Sequence, residues 1–117
     1  MPREKYQTLT EQMFYILLCL QNECCGVDIM KIVSEMTQQR VTIGPGTLYT
    51  LLDNFVSQGF ITQTNIENRK KSYVITETGK EMLEKEYNRL HKLTDDYETF
   101  TRGVVDENHK KTYVNEL

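Results

Sequence analysis

The 117-residue sequence predicts one mainly α-helical domain with a small β component, an α+β fold. Three observations lead to this prediction. Apolar residues recur at three- and four-residue spacing in three short segments of the first half, which is the period of an amphipathic helix. The period changes to two over residues 60–76, which is typical of a β-hairpin. A single long helical pattern then occupies most of the remaining chain.

The first predicted helix lies in TLTEQMFYILLCLQN, residues 8–22. Thr8 and Glu11 have the spacing of a capping box, and Thr10 is an alternative N-cap. The apolar run in this segment is well short of the roughly 18 residues that a membrane helix needs. We therefore expect no membrane span and, because no signal-peptide pattern precedes the run, a cytoplasmic protein. The apolar stripe of this helix consists of Met13, Leu17 and Leu20.

Two further helices are predicted on either side of a turn. The first of them lies in GVDIMKIVSEMTQQ, where Gly26 breaks the chain and apolar residues recur at helical spacing. The next begins at Pro45, which suits the first position of a helix, and ends before Gly59, which suits the position after the last. The apolar face of this sharply delimited helix consists of Leu48, Leu51, Leu52, Phe55 and Val56.

The segment FITQTNIENRKKSYVIT predicts two antiparallel strands joined by a polar turn at ENRKK. Tyr73 and Ile75 alternate with Ser72 and Val74 along the second strand, which gives that strand two distinct faces. The predicted turn contains an Arg-Lys-Lys run, so the hairpin has a basic tip. Three helices followed by a hairpin is the element order of a winged helix-turn-helix, with the two-stranded hairpin as its wing.

The remaining pattern, TETGKEMLEKEYNRLHKLTDDYETFTRGVV, predicts one long helix. Thr76 with Gly79, or Thr78 with Glu81, has capping spacing, and the second pair has the better residues. An apolar seam recurs along this helix at four- and three-residue steps, and so small a domain leaves no element to cover it. We therefore expect a homodimer formed through this C-terminal helix. The predicted dimer interface consists of Leu83, Tyr87, Leu90, Leu93, Tyr97 and Val104.

These elements predict a winged helix-turn-helix DNA-binding domain at 1–76, a dimerisation helix at 77–105 and a polar tail at 106–117. The net charge of −3 at first argues against a nucleic-acid partner. The first 76 residues, however, carry acidic and basic residues in equal numbers, so the surplus of acid falls after residue 76. The acidic helix need not repel a partner that the first domain binds.

In a winged helix-turn-helix the third helix fits the major groove of DNA, and the hairpin reaches the phosphates beside it. The third helix here carries no Lys or Arg, so the hairpin and the neighbouring arms, including Arg3 and Lys5, have to supply the positive charge. Because a dimer is symmetric, we expect double-stranded DNA with a palindromic operator as the partner. The predicted DNA-binding residues are Arg40, Thr47, Tyr49, Thr50, Asn54, Arg69, Lys70 and Lys71.

Two segments, GPGTLYTLLDNFVSQGFI and NRKKSYVITETGKEML, resemble sequences of the PadR family of transcriptional regulators. The most specific parts are GTLY at residues 46–49 and YVITETGKE at residues 73–81, and LTEQMFYILLCL is similar to the family's opening helix. The resemblance implies a winged-helix DNA-binding domain, a C-terminal dimerisation helix, and repression that a small molecule relieves. It also implies phenolic acids and lipophilic drugs as classes of ligand.

The expected effector is therefore a small aromatic or lipophilic molecule. The chain has no Trp, whereas some drug-binding family members stack ligands between tryptophans, which argues against a pocket of that kind. The alternative is that the aromatic side chains of the first and last helices only pack the dimer core, with regulation by expression level. The candidate lining of an effector site consists of Phe14, Tyr15, Tyr97 and Phe100.

The three cysteines leave a redox- or metal-responsive regulator as an alternative on the same fold. Cys24 and Cys25 are adjacent and have no His nearby, so they chelate poorly, and we expect no metal and no cofactor. No nucleophile triad and no phosphate-cradling glycine loop is present, so we do not expect an enzyme. A protein-interaction module that kept the fold without binding DNA is the remaining alternative.

Overall fold

The computed structural model describes residues 8–67 and 70–102 and confirms the predicted fold class. The described chain has four helices and a small antiparallel sheet, in the order of a winged helix. None of the helices in these residues is both long enough and apolar enough to cross a membrane. The helices are α1 (Glu11–Cys19), α2 (Gly26–Met36), α3 (Pro45–Gln58) and α4 (Glu77–Arg102). The strands are β1 (Cys24–Cys25), β2 (Ile61–Glu67) and β3 (Lys70–Ile75).

The sheet contains one strand more than the predicted hairpin. Its order is β1-β3-β2, with Cys24 opposite Tyr73 and Cys25 opposite Ser72. A strand of two residues has no measurable period, which is why the sequence pattern did not reveal β1. Because β1 leads directly into α2, it joins the start of that helix to the middle strand of the sheet.

The hairpin itself is longer than predicted. β2 extends to Glu67 and β3 begins at Lys70, opposite Glu67, so Lys70 and Lys71 are strand residues and not part of a turn. Since successive strand residues point to opposite faces, the predicted alternation is confirmed by the burial of Tyr73 and Ile75. Arg69, which we expected at the tip, lies outside the described residues.

Both ends of α3 agree with the sequence prediction. Pro45 occupies the first turn, and Gly59 caps the C-terminal end with φ +82°, a left-handed conformation that favours glycine. Leu48, Leu52 and Phe55 are completely buried, and this apolar face fixes the helix to the core. Each such buried side chain stabilises the fold by roughly 1.5–3 kcal/mol.

The turn that leads into α3 is held by the buried Thr37. Its hydroxyl donates to the carbonyl of Val33 at 2.8 Å and accepts from the backbone N–H of Val41 at 3.0 Å. The next two residues, Gln38 and Gln39, have φ of +56° and +67°, values that residues other than glycine rarely adopt. Thr37 therefore stabilises a strained reversal between the second and third helices.

The chain divides into two compact units after Glu84. Met82 and Leu83, from the first turns of α4, belong to the hydrophobic core of the first unit together with residues of the three short helices. The first unit therefore includes the start of the long helix. The domain boundaries at residues 76 and 105 stay predictions.

The N-cap of α1 is Thr10, whose hydroxyl accepts from the N–H of Met13 at 3.2 Å, so the alternative cap is the one that forms. At α4 the preference for Thr78 was wrong. The hydroxyl of Thr76 accepts from the N–H of Gly79 at 3.1 Å and donates to the carbonyl of Gly59 at 2.6 Å. Thr76 is the better cap because it joins the start of α4 to the end of α3.

Gly79 lies where no side chain fits. A Cβ built on it would collide with the backbone carbonyl oxygen of Phe60 and approach Cγ1 of Ile75 to 2.7 Å. Gly46 is the matched comparison, because it also lies in the first turn of a helix but has no neighbour within 4 Å of such a Cβ.

We expect Gly79→Ala to lower the free energy of unfolding by about 1–3 kcal/mol, because a backbone segment has to move. Gly46→Ala should leave it unchanged or raise it by about 0.5–1 kcal/mol, since alanine favours a helix. Urea denaturation of both variants measures the two values. Equal stability of the two variants would contradict the close contact at Gly79.

Candidate nucleic-acid interface

The outward face of α3 presents short polar side chains. Thr47 and Thr50 are exposed and Asn54 is half-buried, on the helix whose opposite face is fixed in the core. Short side chains on a rigid helix can approach base edges closely and make directional hydrogen bonds. Four of the predicted DNA-binding residues, these three and Tyr49, lie on α3.

Tyr49 lies at the junction of α3 with the start of α2. Its side chain is 38% exposed. A Cβ built on Gly26 would lie 2.8 Å from Cζ of Tyr49 and would collide with the hydroxyl. Gly26 therefore lets the tyrosine ring lie directly against the first turn of α2. Sequence reasoning took Gly26 only as a helix breaker and missed this close approach.

Lys70 and Lys71 bring positive charge from β3 to the same part of the molecule. Both side chains are exposed, and neither forms an ion pair with a side chain that the structure describes, a set that does not include Glu67. A cleft of about 380 Å³ separates these lysines from Tyr49 and the first turn of α2. The positive charge that α3 lacks thus lies across a cleft from it, on the strand of the wing.

Arg40 differs from the lysines because its charge is already paired. One guanidinium nitrogen lies 2.5 Å from a carboxylate oxygen of Glu11, and the other donates to the hydroxyl of Tyr15 at 3.1 Å. The hydrogen bond and the charge of Glu11 raise the pKa of Arg40 above its ordinary value. In this arrangement Arg40 ties the turn before α3 to α1, so to bind a phosphate it has to leave Glu11.

The residues predicted to line an effector site fall in two places. Phe14 and Tyr15 pack edge to face with their ring centres 5.9 Å apart, partly buried beside the core of the first unit. Tyr97 and Phe100 belong to the second unit, where Tyr97 is 62% exposed. The joint lining of one site by these four residues therefore stays a prediction.

The predicted dimer seam is exposed over most of its described length. Leu83 is the exception, because it is buried in the core of the first unit, so the exposed seam begins at Tyr87. Val104, like Arg3 and Lys5, lies outside the described residues. The large exposed apolar and aromatic side chains of α4 are Tyr87, Leu90, Leu93 and Tyr97.

Cys19 and Cys24 carry little reactive thiolate. Burial raises the pKa of the Cys24 thiol from 9.0 to about 11, and the charges of Asp28 and of the other two cysteines add to the effect. Burial likewise raises the pKa of Cys19 to about 11. Within the described residues no group of three His, Cys, Asp or Glu side chains is placed to hold a metal ion.

Comparison with known proteins decides the family. A family model described as the transcriptional regulator PadR-like family matches residues 16–85, which is more than half of the chain. The chain belongs to this family. The matched region runs from the middle of α1 to the first turns of α4 and so contains the whole candidate interface. Membership of this family also confirms the expectation of a regulator that is not an enzyme.

A curated relative and two solved structures illustrate the likeness. The Escherichia coli K12 protein named transcriptional regulator YqjI is 36% identical over 59 residues, which is 50% of this chain and 28% of that protein. The chain thus spans little more than a quarter of the curated relatives it matches.

The two solved structures extend over more of the fold. A transcriptional regulator from Clostridium thermocellum has a TM-score of 0.67 at 20% identity, covering 77% of this chain and 91% of that one. This likeness supports the winged-helix fold. Bacillus subtilis PadR, solved in complex with operator DNA, has a TM-score of 0.56 at 29% identity, covering 62% of this chain and 44% of that one.

We expect Cys24 of this PadR-like protein to react slowly with alkylating agents. The double variant Cys19→Ser/Cys25→Ser leaves it as the only cysteine. The raised pKa of Cys24 comes mainly from burial, which this variant keeps, so its thiolate fraction at pH 7.5 should stay well below that of an ordinary thiol. Iodoacetamide should therefore modify the folded variant at least about tenfold more slowly than free glutathione.

The same variant in concentrated urea is the control, because unfolding removes the burial and should restore an ordinary rate. Modification of the folded variant at the rate of glutathione or faster, followed by mass spectrometry, would instead favour a redox-responsive thiol.

Proposed function

We propose that this PadR-family chain is a homodimeric repressor that binds a palindromic DNA operator and is released by a small aromatic or lipophilic effector. The observation that carries the DNA-binding part is the exposed polar face of α3 opposite two exposed lysines that form no ion pair with the described side chains. Such an arrangement suits DNA, since the helix can contact base edges while the lysines neutralise phosphates. That Bacillus subtilis PadR was solved with operator DNA supports the same partner for this chain.

The dimeric part of the proposal rests on α4. Four large apolar or aromatic side chains are exposed on it between residues 87 and 97. Their spacing follows the four- and three-residue steps of a helical seam, which favours a second helix as the covering surface. A second copy of the chain also doubles the number of phosphate contacts and matches the two halves of a palindrome.

The release by an effector is supported by the contacts of Tyr15. This residue is one of the predicted lining residues, and its hydroxyl accepts from Arg40, which lies in the turn just before α3. A ligand group that binds the Tyr15 hydroxyl competes with Arg40 for it. Such a ligand can repress or relieve DNA binding only if it prefers one arrangement over the other, and a tenfold change needs about 1.4 kcal/mol of preference.

Selection of duplexes from a random library by the purified protein, repeated with aromatic acids and lipophilic cations, tests the proposal as a whole. We expect a palindromic consensus whose recovery falls with one class of ligand. Recovery without any consensus would contradict operator binding and favour the protein-interaction module. A consensus whose recovery no ligand changes would contradict release by an effector and would favour regulation by expression level.

The wing and α3 should contribute differently to affinity. Lys70→Ala and Lys71→Ala should each weaken binding to all duplexes alike and lower the slope of log K against log salt by about one unit. Thr50→Ala or Asn54→Ala should instead reduce the discrimination between operator and random DNA by about 1–3 kcal/mol. Fluorescence anisotropy at several salt concentrations measures both quantities.

Lys92→Ala is the matched control for the wing lysines, because it removes an exposed lysine from α4, about 160° around the helix from Leu90. Its salt slope should equal that of the unmodified protein. Wing variants that change sequence preference and leave the salt slope unchanged would reverse the two assigned roles.

Leu90→Asp should convert the protein to monomers and abolish tight operator binding. The substitution places a carboxylate in an apolar seam, where its desolvation opposes association. Asn88→Asp introduces the same charge on an exposed position about 160° away and should leave the dimer intact. Light scattering at micromolar concentration reports the mass, and a monomeric unmodified protein would contradict the proposed seam.

A further inference from the structure

The cleft of about 380 Å³ beside α3 is lined by residues of α2, α3 and β3 and contains both positive and negative side chains. Tyr73 of β3 lies within it, Tyr49 and Asp53 contribute from α3, and the first turn of α2 forms the remaining side. Lys70 and Lys71 stand at its wing side. All of these residues belong to the first compact unit, so the cleft is a feature of the winged-helix fold itself.

Tyr73 provides the observation that points to a ligand. Its side chain is only 1% exposed, and its hydroxyl forms no hydrogen bond with any side chain or backbone group that the structure describes. Tyr73 is nonetheless one of the residues that line the cleft. The hydroxyl of a buried tyrosine normally has a hydrogen-bond partner. A tyrosine beside a cavity whose hydroxyl lacks one therefore indicates a position for a ligand's acceptor atom.

The surroundings of this hydroxyl favour an anion. Lys71 and Tyr73 share one face of β3 because they are two residues apart on a strand. Two lysines face one carboxylate, that of Asp53, which leaves the cleft with a positive balance. The N-cap of α2 is Cys25, which makes no side-chain capping hydrogen bond, so the first amides of that helix have no side-chain acceptor there.

We propose that the cleft binds one phosphate group, with the Tyr73 hydroxyl and Lys71 donating to its oxygens. The inference rests on the proposed function for its source, a backbone phosphate of DNA that contacts α3. A phosphate suits the site better than a neutral group because it offers several acceptor oxygens to donors that converge from a tyrosine, a lysine and a helix start. Free inorganic phosphate has the same chemistry and is the second source to test.

The decisive variant is Tyr73→Phe, which removes the hydroxyl and keeps the ring in the core. We expect it to weaken binding about tenfold to operator and random duplexes alike, because a phosphate contact carries no sequence information. Its melting temperature should not fall, since the lost hydroxyl has no hydrogen-bond partner among the groups that the structure describes. Thr62→Val is the matched control, because it removes an exposed hydroxyl from β2, which does not line the cleft.

Asp53→Asn gives an effect of opposite sign. Removing the carboxylate removes repulsion of the phosphate, so affinity for all duplexes should rise about two- to threefold at low salt. A changed base preference without that rise would mean that Asp53 contacts a base and that the cleft does not hold a phosphate.

Inorganic phosphate, titrated at constant ionic strength against chloride, tests the free source. The amide signals of Gly26 and Val27 are followed by nuclear magnetic resonance. Shifts that saturate for the unmodified protein and disappear in Tyr73→Phe support the pocket, whether or not DNA binds. Weaker DNA binding by Tyr73→Phe without phosphate-dependent shifts also supports it, with DNA as the only source.

The two proposals fail in different ways. If the unmodified protein binds an operator, Tyr73→Phe binds it equally well and phosphate shifts no signal, the phosphate pocket is overturned and the regulator stands. If no duplex binds at any salt concentration but phosphate shifts the cleft signals in a Tyr73-dependent way, operator binding is overturned and the pocket stands.

Discussion

The wing is closed at its base by Thr76, and the geometry of the candidate interface depends on that closure. The backbone N–H of Thr76 donates to the carbonyl of Phe60 at 2.9 Å, and its hydroxyl donates to the carbonyl of Gly59 at 2.6 Å. The same hydroxyl caps α4 through Gly79. One residue thus joins the end of α3, both ends of the hairpin and the start of the long helix. A hairpin held this way keeps its lysines at a fixed distance from α3.

This closure explains how a helix without cations can serve an anionic partner. The chain as a whole is acidic, and α3 exposes polar groups and the carboxylate of Asp53 but no cation. The cations are supplied by a separate strand, which leaves α3 free to carry short side chains that approach bases closely. On the proposed function, affinity and specificity therefore come from different elements, and the rigid base of the wing is what makes their separation useful.

Sequence patterns predicted correctly those features that depend on residues close together in the chain. The limits of α3 follow from Pro45 and Gly59, and the buried face of β3 follows from alternation, because each depends on neighbours in sequence. The cap of α4 depends instead on a residue distant in sequence. Thr76 caps the helix and Thr78 does not, because the hydroxyl of Thr76 donates to the carbonyl of Gly59 at the end of α3. Arg40 was expected to face DNA, but its partner Glu11 is 29 residues away and carries no signature in the pattern.

The candidate cleft lay beyond sequence reasoning for the same reason. It brings together residues from the start of α2, the middle of α3 and β3, and the contact that shapes it is the approach of Tyr49 to Gly26. The sequence identified Gly26 as a break and Tyr73 as one face of a strand, and both statements hold. Neither could reveal that the tyrosine hydroxyl has no hydrogen-bond partner among the described groups, because that is a property of the space around it.

Asp53 shows why the positive balance of this surface is small and why that suits a regulator. Its carboxylate partly offsets Lys70 and Lys71, so the cleft has only a modest excess of positive charge. Backbone affinity grows with each phosphate neutralised and falls steeply with salt, so a strongly basic cleft would hold any duplex. A weakly basic cleft leaves non-specific DNA loosely bound. In the proposed dimer, tight binding then requires the polar groups of α3 to match their bases and both subunits to engage at once.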